Sequence, residues 1–395
     1  MGSRASFRSV AASLLLLGSL ALVPTSGTSP PDFGEPLRNL TSDQLARFEA
    51  GKDEFNEVET VEEGLGPVFN DVSCGTCHSG PAIGGGSDRL ETRFGSRGRH
   101  GRFDPLTQFG GSLIQEQGIG VTGACEYLAE TVPPEATIVA KRRTTPLFGL
   151  GLVDAVPDAA FQQIALSERS DPDQIGGVVS IVTNLTTGLP AVGKFGWKGQ
   201  NPTLFQFAGD AYVNEMGITN PQFPGENCPG GDCGALSCNP LPTVNDDGTG
   251  VQAFADFMTF LAPPPRGPIT GAAILGEHQF NSLGCADCHL ATLRTGRNSV
   301  AVLNQVTFHP YSDFLLHDMG SLGDGITQNQ ATGRLMRTAP LWGVRKLTTL
   351  LHDGRATTLA QAILAHDGQA RRSRDRFARL SSFDKAQLLA FLNSL

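Results

Sequence analysis

Two five-residue motifs constrain this chain more than anything else in it. Cys74-Gly75-Thr76-Cys77-His78 and Cys285-Ala286-Asp287-Cys288-His289 both read C-x-x-C-H. That spacing suits c-type haem attachment, in which two thiols become thioethers on the haem vinyl groups and the adjacent His is held beneath the iron. A thioredoxin-like redox pair or half of a zinc site are the rival uses of C-x-x-C. Two copies, each with His directly after the second Cys, favour two covalent haems with His78 and His289 as the proximal ligands.

The surroundings of the motifs repeat as well. G-x-x-x-F-N precedes each one, at Gly51–Asn56 and Gly276–Asn281. After them come Arg143-Thr144-Thr145-Pro146-Leu147-Phe148-Gly149 and Arg337-Thr338-Ala339-Pro340-Leu341-Trp342-Gly343. Each half closes with an apolar segment at helical spacing, residues 254–261 and 388–392. Between the halves, Ala262-Pro263-Pro264-Pro265-Arg266-Gly267-Pro268 cannot continue a helix. The expected architecture is therefore mainly α: two cytochrome c-like haem domains in tandem with long loop insertions, at 28–265 and 266–395.

Residues 1–27 read as a secretory signal, with Arg4 and Arg8 ahead of an apolar run from Val10 to Val23 that is short for a membrane span. Its removal takes two positive charges and no acid, moving the formal charge from -9 to -11. The expected location is the periplasm, the protein is not expected to be an integral membrane protein, and an acidic surface argues against nucleic acid as a partner. The four cysteines outside the motifs, Cys125, Cys228, Cys233 and Cys238, are expected to form two disulfides, with three pairings open.

The chain resembles the di-haem oxidoreductase family, within the wider superfamily of bacterial di-haem cytochrome c peroxidases. Both haem motifs carry the resemblance, together with Leu147–Asp158, Gly193–Lys198 and Leu351–Leu359. It implies an oxidoreductase that takes electrons from a small donor protein, a cytochrome or cupredoxin, at the C-terminal haem. Those electrons would pass to an open N-terminal haem that reduces peroxide. The resemblance places the sixth ligand of the C-terminal haem at His366, where relatives usually carry Met; Met319 is the rival, and His352 is a candidate support for that pocket. It also implies Glu215, like the Glu of the family's E-M motif, and Gln206 as catalytic groups, with Tyr212 and Met216 as alternative neighbours. His100, in a loop rich in Gly and Arg, is a weaker candidate ligand.

Laying Lys198–Leu204 over Asp353–Leu359 without a gap puts Ala211 where the second half has His366. Alanine cannot bind iron, so the first haem is expected to be the open one. Arg143 and Arg337, at matching places in the repeat, are candidates to pair with haem propionates, because guanidinium binds carboxylate bidentately. Asp246-Asp247-Gly248-Thr249-Gly250 is a candidate calcium contact, with a solvated turn as the alternative. Two other readings stay open: an oxygenase-type or protein-oxidising di-haem enzyme, and a non-enzymatic di-haem electron carrier.

Overall fold

The computed structural model describes residues 29–169, 175–241 and 244–395, so the signal segment expected at 1–27 lies outside the described residues. Its helices are α1 (Ser42–Asn56), α2 (Cys74–Cys77), α3 (Leu150–Asp154), α4 (Asp158–Glu168), α5 (Leu204–Met216), α6 (Thr249–Phe260), α7 (Gly271–Ser282), α8 (Leu359–Ala365), α9 (Arg371–Arg379) and α10 (Ser382–Leu392).

The G-x-x-x-F-N repeat has a packing cause. A Cβ on Gly51 would lie 2.2 Å from the Ala253 carbonyl of α6, and one on Gly276 would lie 2.0 Å from the Gln387 carbonyl of α10. Only glycine lets α1 cross α6, and α7 cross α10, this closely. One turn on, the buried Phe55 and Phe280 sit against His78 and His289, at ring distances of 5.7 and 6.3 Å. Asn56 and Asn281 each return a side-chain hydrogen bond to the carbonyl four residues back. The later repeat closes just past the same helices: Gly149 N–H donates to Leu261 O, and Gly343 N–H to Leu395 O.

Among the described residues the fold is mixed rather than mainly α, with 36% helix and 16% strand. Much of the strand lies in the insertion after the first motif. There Leu90–Arg97 pairs antiparallel with Phe103–Asp104 on one side and Ile138–Arg143 on the other, over a small cluster of Phe94, Leu106 and Ile114. Its alternation is masked in sequence because several inward positions hold charges. Arg142 is buried against Asp324 at 2.6 Å, Lys198 is buried against the same carboxylate at 2.8 Å, and Arg93 pairs with Glu91 at 2.9 Å. Burial leaves these charges viable only because they are mutually paired.

Residues Pro31–Leu395 form one compact unit containing two large apolar cores. The first core recruits Leu293, Phe308 and Phe314 from beyond the proline linker, so packing crosses the 265/266 division. The halves are also stitched reciprocally. Arg143 N–H donates to His352 O at 2.7 Å, and Arg337 N–H, its repeat counterpart, donates to Trp197 O at 2.9 Å. Trp197 and His352 occupy matching places in the two halves, and their rings pack edge to face at 6.2 Å. The four non-motif cysteines pair as Cys125–Cys238 and Cys228–Cys233.

Candidate functional site

Each C-x-x-C-H segment folds as one tight turn in which the His N–H donates to the first Cys carbonyl at 3.0 Å, for His78 to Cys74 and for His289 to Cys285. The four motif cysteines take no part in a disulfide, while the other four pair. Beside each turn is a cavity. The first, about 540 Å³, is lined by Cys74, Cys77, His78, Ala211, Tyr212 and Glu215, among others. The second, about 240 Å³, is lined by Cys285, Cys288, His289 and His366, with Met319 and His352 on the same wall set. Arg143, Thr145, Gly196 and Trp197 line both, so one thin partition separates them.

Three histidines share one hydrogen-bonding arrangement. Nδ1 of His78, His289 and His366 faces the carbonyl of Gly85, Tyr311 and Ala362 at 3.0, 3.0 and 2.7 Å. A carbonyl can only accept, so Nδ1 carries the hydrogen and the Nε2 lone pair is left as the ligand atom. Burial pulls the pKa of His78 and of His289 down to about 4, and also lowers that of His366, keeping all three neutral at neutral pH. Buried His317 contrasts with them, spending Nε2 on Asp313 and Nδ1 on Gln369, both at 2.9 Å. Exposed His100 lines neither cavity.

The ring centres of His289 and His366 are 6.5 Å apart. Two metal–imidazole bonds of about 2 Å each, plus half a ring at either end, add up to roughly the same distance. The second cavity therefore fits a metal held between two imidazoles. Among the described residues, no second histidine lines the first cavity with His78. Helices α5 and α8 start alike: Thr203 and Thr358 each cap the first turn, at 3.2 Å to the third residue's N–H, and the preceding bridges Phe195–Asn201 and Leu350–Ala356 match. Ala211 lies in the cavity wall at the place of His366.

Such a pair of sites, each with two thiols and a pinned imidazole, fits two haems. Residues 128–395 match the family described as "Di-haem oxidoreductase, putative peroxidase". The chain belongs to the di-haem oxidoreductase family. No curated protein gives a significant match. Among solved structures, a MauG-like protein associated with microbial copper homeostasis is 15% identical, covers 93% of both chains and has a TM-score of 0.40. A variant of the di-haem peroxidase BthA from Burkholderia thailandensis is 14% identical over 93% of this chain and 88% of its own, with a TM-score of 0.40. Hydrazine synthase of Kuenenia stuttgartiensis, pressurised with xenon, is 14% identical over 98% and 100%, with a TM-score of 0.38.

This di-haem oxidoreductase places Glu215 one helical turn after Ala211, on the same face of α5 and in the wall of the first cavity. Glu215 accepts a hydrogen bond from Asn70 Nδ2 at 2.7 Å. Burial, reinforced by repulsion from Glu91, pushes its carboxyl up to about 7 despite Asn70 and Arg93. Tyr212 is turned to Glu59, its hydroxyl donating at 2.5 Å. Gln206 is not brought to the cavity. Its amide accepts from Leu185 N–H at 2.9 Å and donates to Thr183 O at 3.3 Å, because the first turn of α5 lies against the hairpin that joins Ser180–Thr183 to Pro190–Gly193.

Arg143 is buried with no hydrogen-bond partner on Nε, an orphan that an acid group on a ligand would satisfy. Arg337 differs: Nε donates to Gly196 O and Nη1 to Thr338 O, so much of its guanidinium is spent on backbone. The candidate calcium loop has its carboxylates committed. Asp246 accepts from Gly248 and Gly250 N–H at the start of α6, and Asp247 accepts from Thr249. The residue that sequence reasoning gave no role is Trp197, which lines both cavities and donates Nε1–H to Arg143 O at 2.9 Å. Its match to His352 was the available signal.

Among the described residues, no helix is long and apolar enough to cross a membrane.

Proposed function

We propose that this chain is an exported, periplasmic c-type oxidoreductase that reduces peroxide at the first site with electrons received at the second. When bound, the haems supply two one-electron stores and the metal at which the oxidant is cleaved. Cys74 and Cys77 would hold one haem and Cys285 and Cys288 the other through thioether bonds. His78 Nε2 would be the sole protein ligand at the first site, and His289 and His366 would close both faces at the second. Arg143 would neutralise a propionate, with Arg337 shaping the second pocket from behind.

Glu215, in the wall of the first cavity, would accept a proton from the near oxygen of peroxide and return it to the far oxygen as the O–O bond breaks, so that two electrons and two protons give two waters. Trp197, in the partition, is the side chain through which electrons would cross. The observation that carries this reading is the asymmetry: an imidazole facing His289, and an alanine beside a buried carboxylate facing His78.

The test is EPR on protein made in a host that attaches c-type haem, followed by a peroxide titration. One high-spin and one low-spin ferric signal are expected, the high-spin one being consumed by peroxide. Two low-spin signals that ignore peroxide, both before and after one-electron reduction, would instead establish an electron carrier. Oxygen uptake with an organic substrate and no peroxide would establish an oxygenase.

A further inference from the structure

The charge of this acidic chain is polarised. Residues 1–265 contain 16 Lys and Arg against 30 Asp and Glu, whereas residues 266–395 contain 14 against nine. Helix α9 concentrates the positive end, with Arg371, Arg372, Arg374, Arg376 and Arg379 against Asp375 in nine residues.

This helix is packed on the second cavity. Its Ser373 and Arg374 line that cavity. Arg374 Nη1 donates to the His366 carbonyl at 2.9 Å, and Arg376 Nη1 donates to the Leu283 carbonyl at 3.1 Å, two residues before Cys285. One basic helix thus contacts the chain beside both ends of the proposed His289–His366 axis. Two nearby acids, Asp367 and Asp375, pair with Arg374 at 3.4 and 2.8 Å. Arg371, Arg372 and Arg379 present exposed side chains.

Two apolar side chains flank the helix and are open to solvent. Leu364, 49% exposed, stands two residues before His366, and Phe383, 71% exposed, opens α10. Lys385 ties that first turn of α10 to α9, donating to Ala378 O and standing over the Phe377 ring. Apolar contacts beside clustered charges suit a transient redox encounter, small in area and oriented by electrostatics.

We propose that α9, with Leu364 and Phe383, is the docking face for a small acidic one-electron donor protein. The inference rests on the reading that electrons are received at the second site. An acidic donor is drawn to the basic end and turned away from the acidic half, while a basic donor is drawn to the half that holds the peroxide site. In each encounter the donor is oxidised by one electron and the second site is reduced by one. Two encounters supply the two electrons that a peroxide consumes.

The test follows reduction of the full-length, haem-loaded protein by stopped flow, without peroxide. The probe is a reduced plant-type ferredoxin, an acidic low-potential one-electron donor, alongside the same ferredoxin with its carboxylates amidated by a diamine. The native ferredoxin should reduce the low-spin site with a rate constant that falls about tenfold or more from low to high salt. Arg371→Glu with Arg379→Glu should cut the low-salt rate by a similar factor, while reduction by dithionite and the thermal melt stay unchanged. The amidated ferredoxin should show the opposite response to that variant. Rates that ignore both salt and the double substitution, or a faster reaction with the amidated probe on the wild-type chain, would overturn the proposal. Charge-dependent reduction without peroxide consumption would leave the docking face standing and remove the peroxidase reading; peroxide consumption with charge-independent reduction would do the reverse.

Discussion

Replacing Glu215 by Gln is expected to slow peroxide consumption by about two to four orders of magnitude, the range that a positioned acid–base group contributes. The substitution keeps the size of the side chain and can keep the Asn70 hydrogen bond, so both C-x-x-C-H turns should bind haem as before. What it removes is a carboxylate held at about 7, chiefly by burial. A base must be deprotonated to act, so the wild-type rate should rise with pH through about 7 and then level off. The Gln variant should be flat over that limb.

Stability gives an independent check with a definite sign. The folded-state pKa lies above the ordinary carboxylate value, so between about 4.5 and 7 the folded chain holds a proton that the unfolded chain has lost. This group therefore costs stability as pH rises through that window. Glu215→Gln should melt at the same or a higher temperature than wild type at pH 8, with the difference gone at pH 4. Peroxide kinetics from pH 5 to 9, with melts at the two extremes, decide it. A variant that reacts at full speed would show that Glu215 is merely buried, and the proton would have to come from elsewhere in the cavity.

The parts of this molecule that were legible in its sequence are those with local causes. Gly51 and Gly276 recur because two helix crossings leave no room for a Cβ, and Phe55 and Phe280 recur because each backs the imidazole of a C-x-x-C-H turn, His78 or His289. The gap-free alignment that sets Ala211 against His366 has a local counterpart in a Thr cap and a short bridge at the start of each helix. What stayed hidden depends on contacts between distant residues. The paired strands Leu90–Arg97 and Ile138–Arg143 carry charges that look like a solvated loop until Arg93 is seen to pair with Glu91, and Arg142 with Asp324 far along the chain. Gln206 is a helix-start residue whose amide is claimed by a neighbouring hairpin, and nothing in its own segment encodes that hairpin's position. Trp197 could have been paired with His352 by extending the overlay one residue, but its place in a shared wall follows only from the reciprocal Arg143 and Arg337 bonds.

Removing the imidazole of His366 should change the second site from closed to open. In His366→Ala the low-spin ferric signal is expected to disappear and a second high-spin signal to take its place, while the first site and its response to peroxide are retained. The geometry makes this a sharp expectation. His366 Nδ1 is pinned to Ala362 O, its ring lies 6.5 Å from that of His289, and the backbone carbonyl after the helix is held by Arg374. Met319 lines the same cavity, so it is the residue that could step in. Met319→Leu should leave the wild-type spectrum intact, and the His366→Ala, Met319→Leu double variant should match His366→Ala alone. His366→Met offers the converse: if a thioether reaches the metal from this position, the site stays low-spin but its potential rises, because Met ligation favours the reduced form relative to bis-His. A higher potential at the second site weakens the drive toward the first, so turnover with a low-potential donor should slow even though peroxide still reacts in a single pass. A His366→Ala, Met319→Leu protein that stays fully low-spin would place the sixth ligand elsewhere and take with it the contrast between His366 and Ala211 on which the open first site rests.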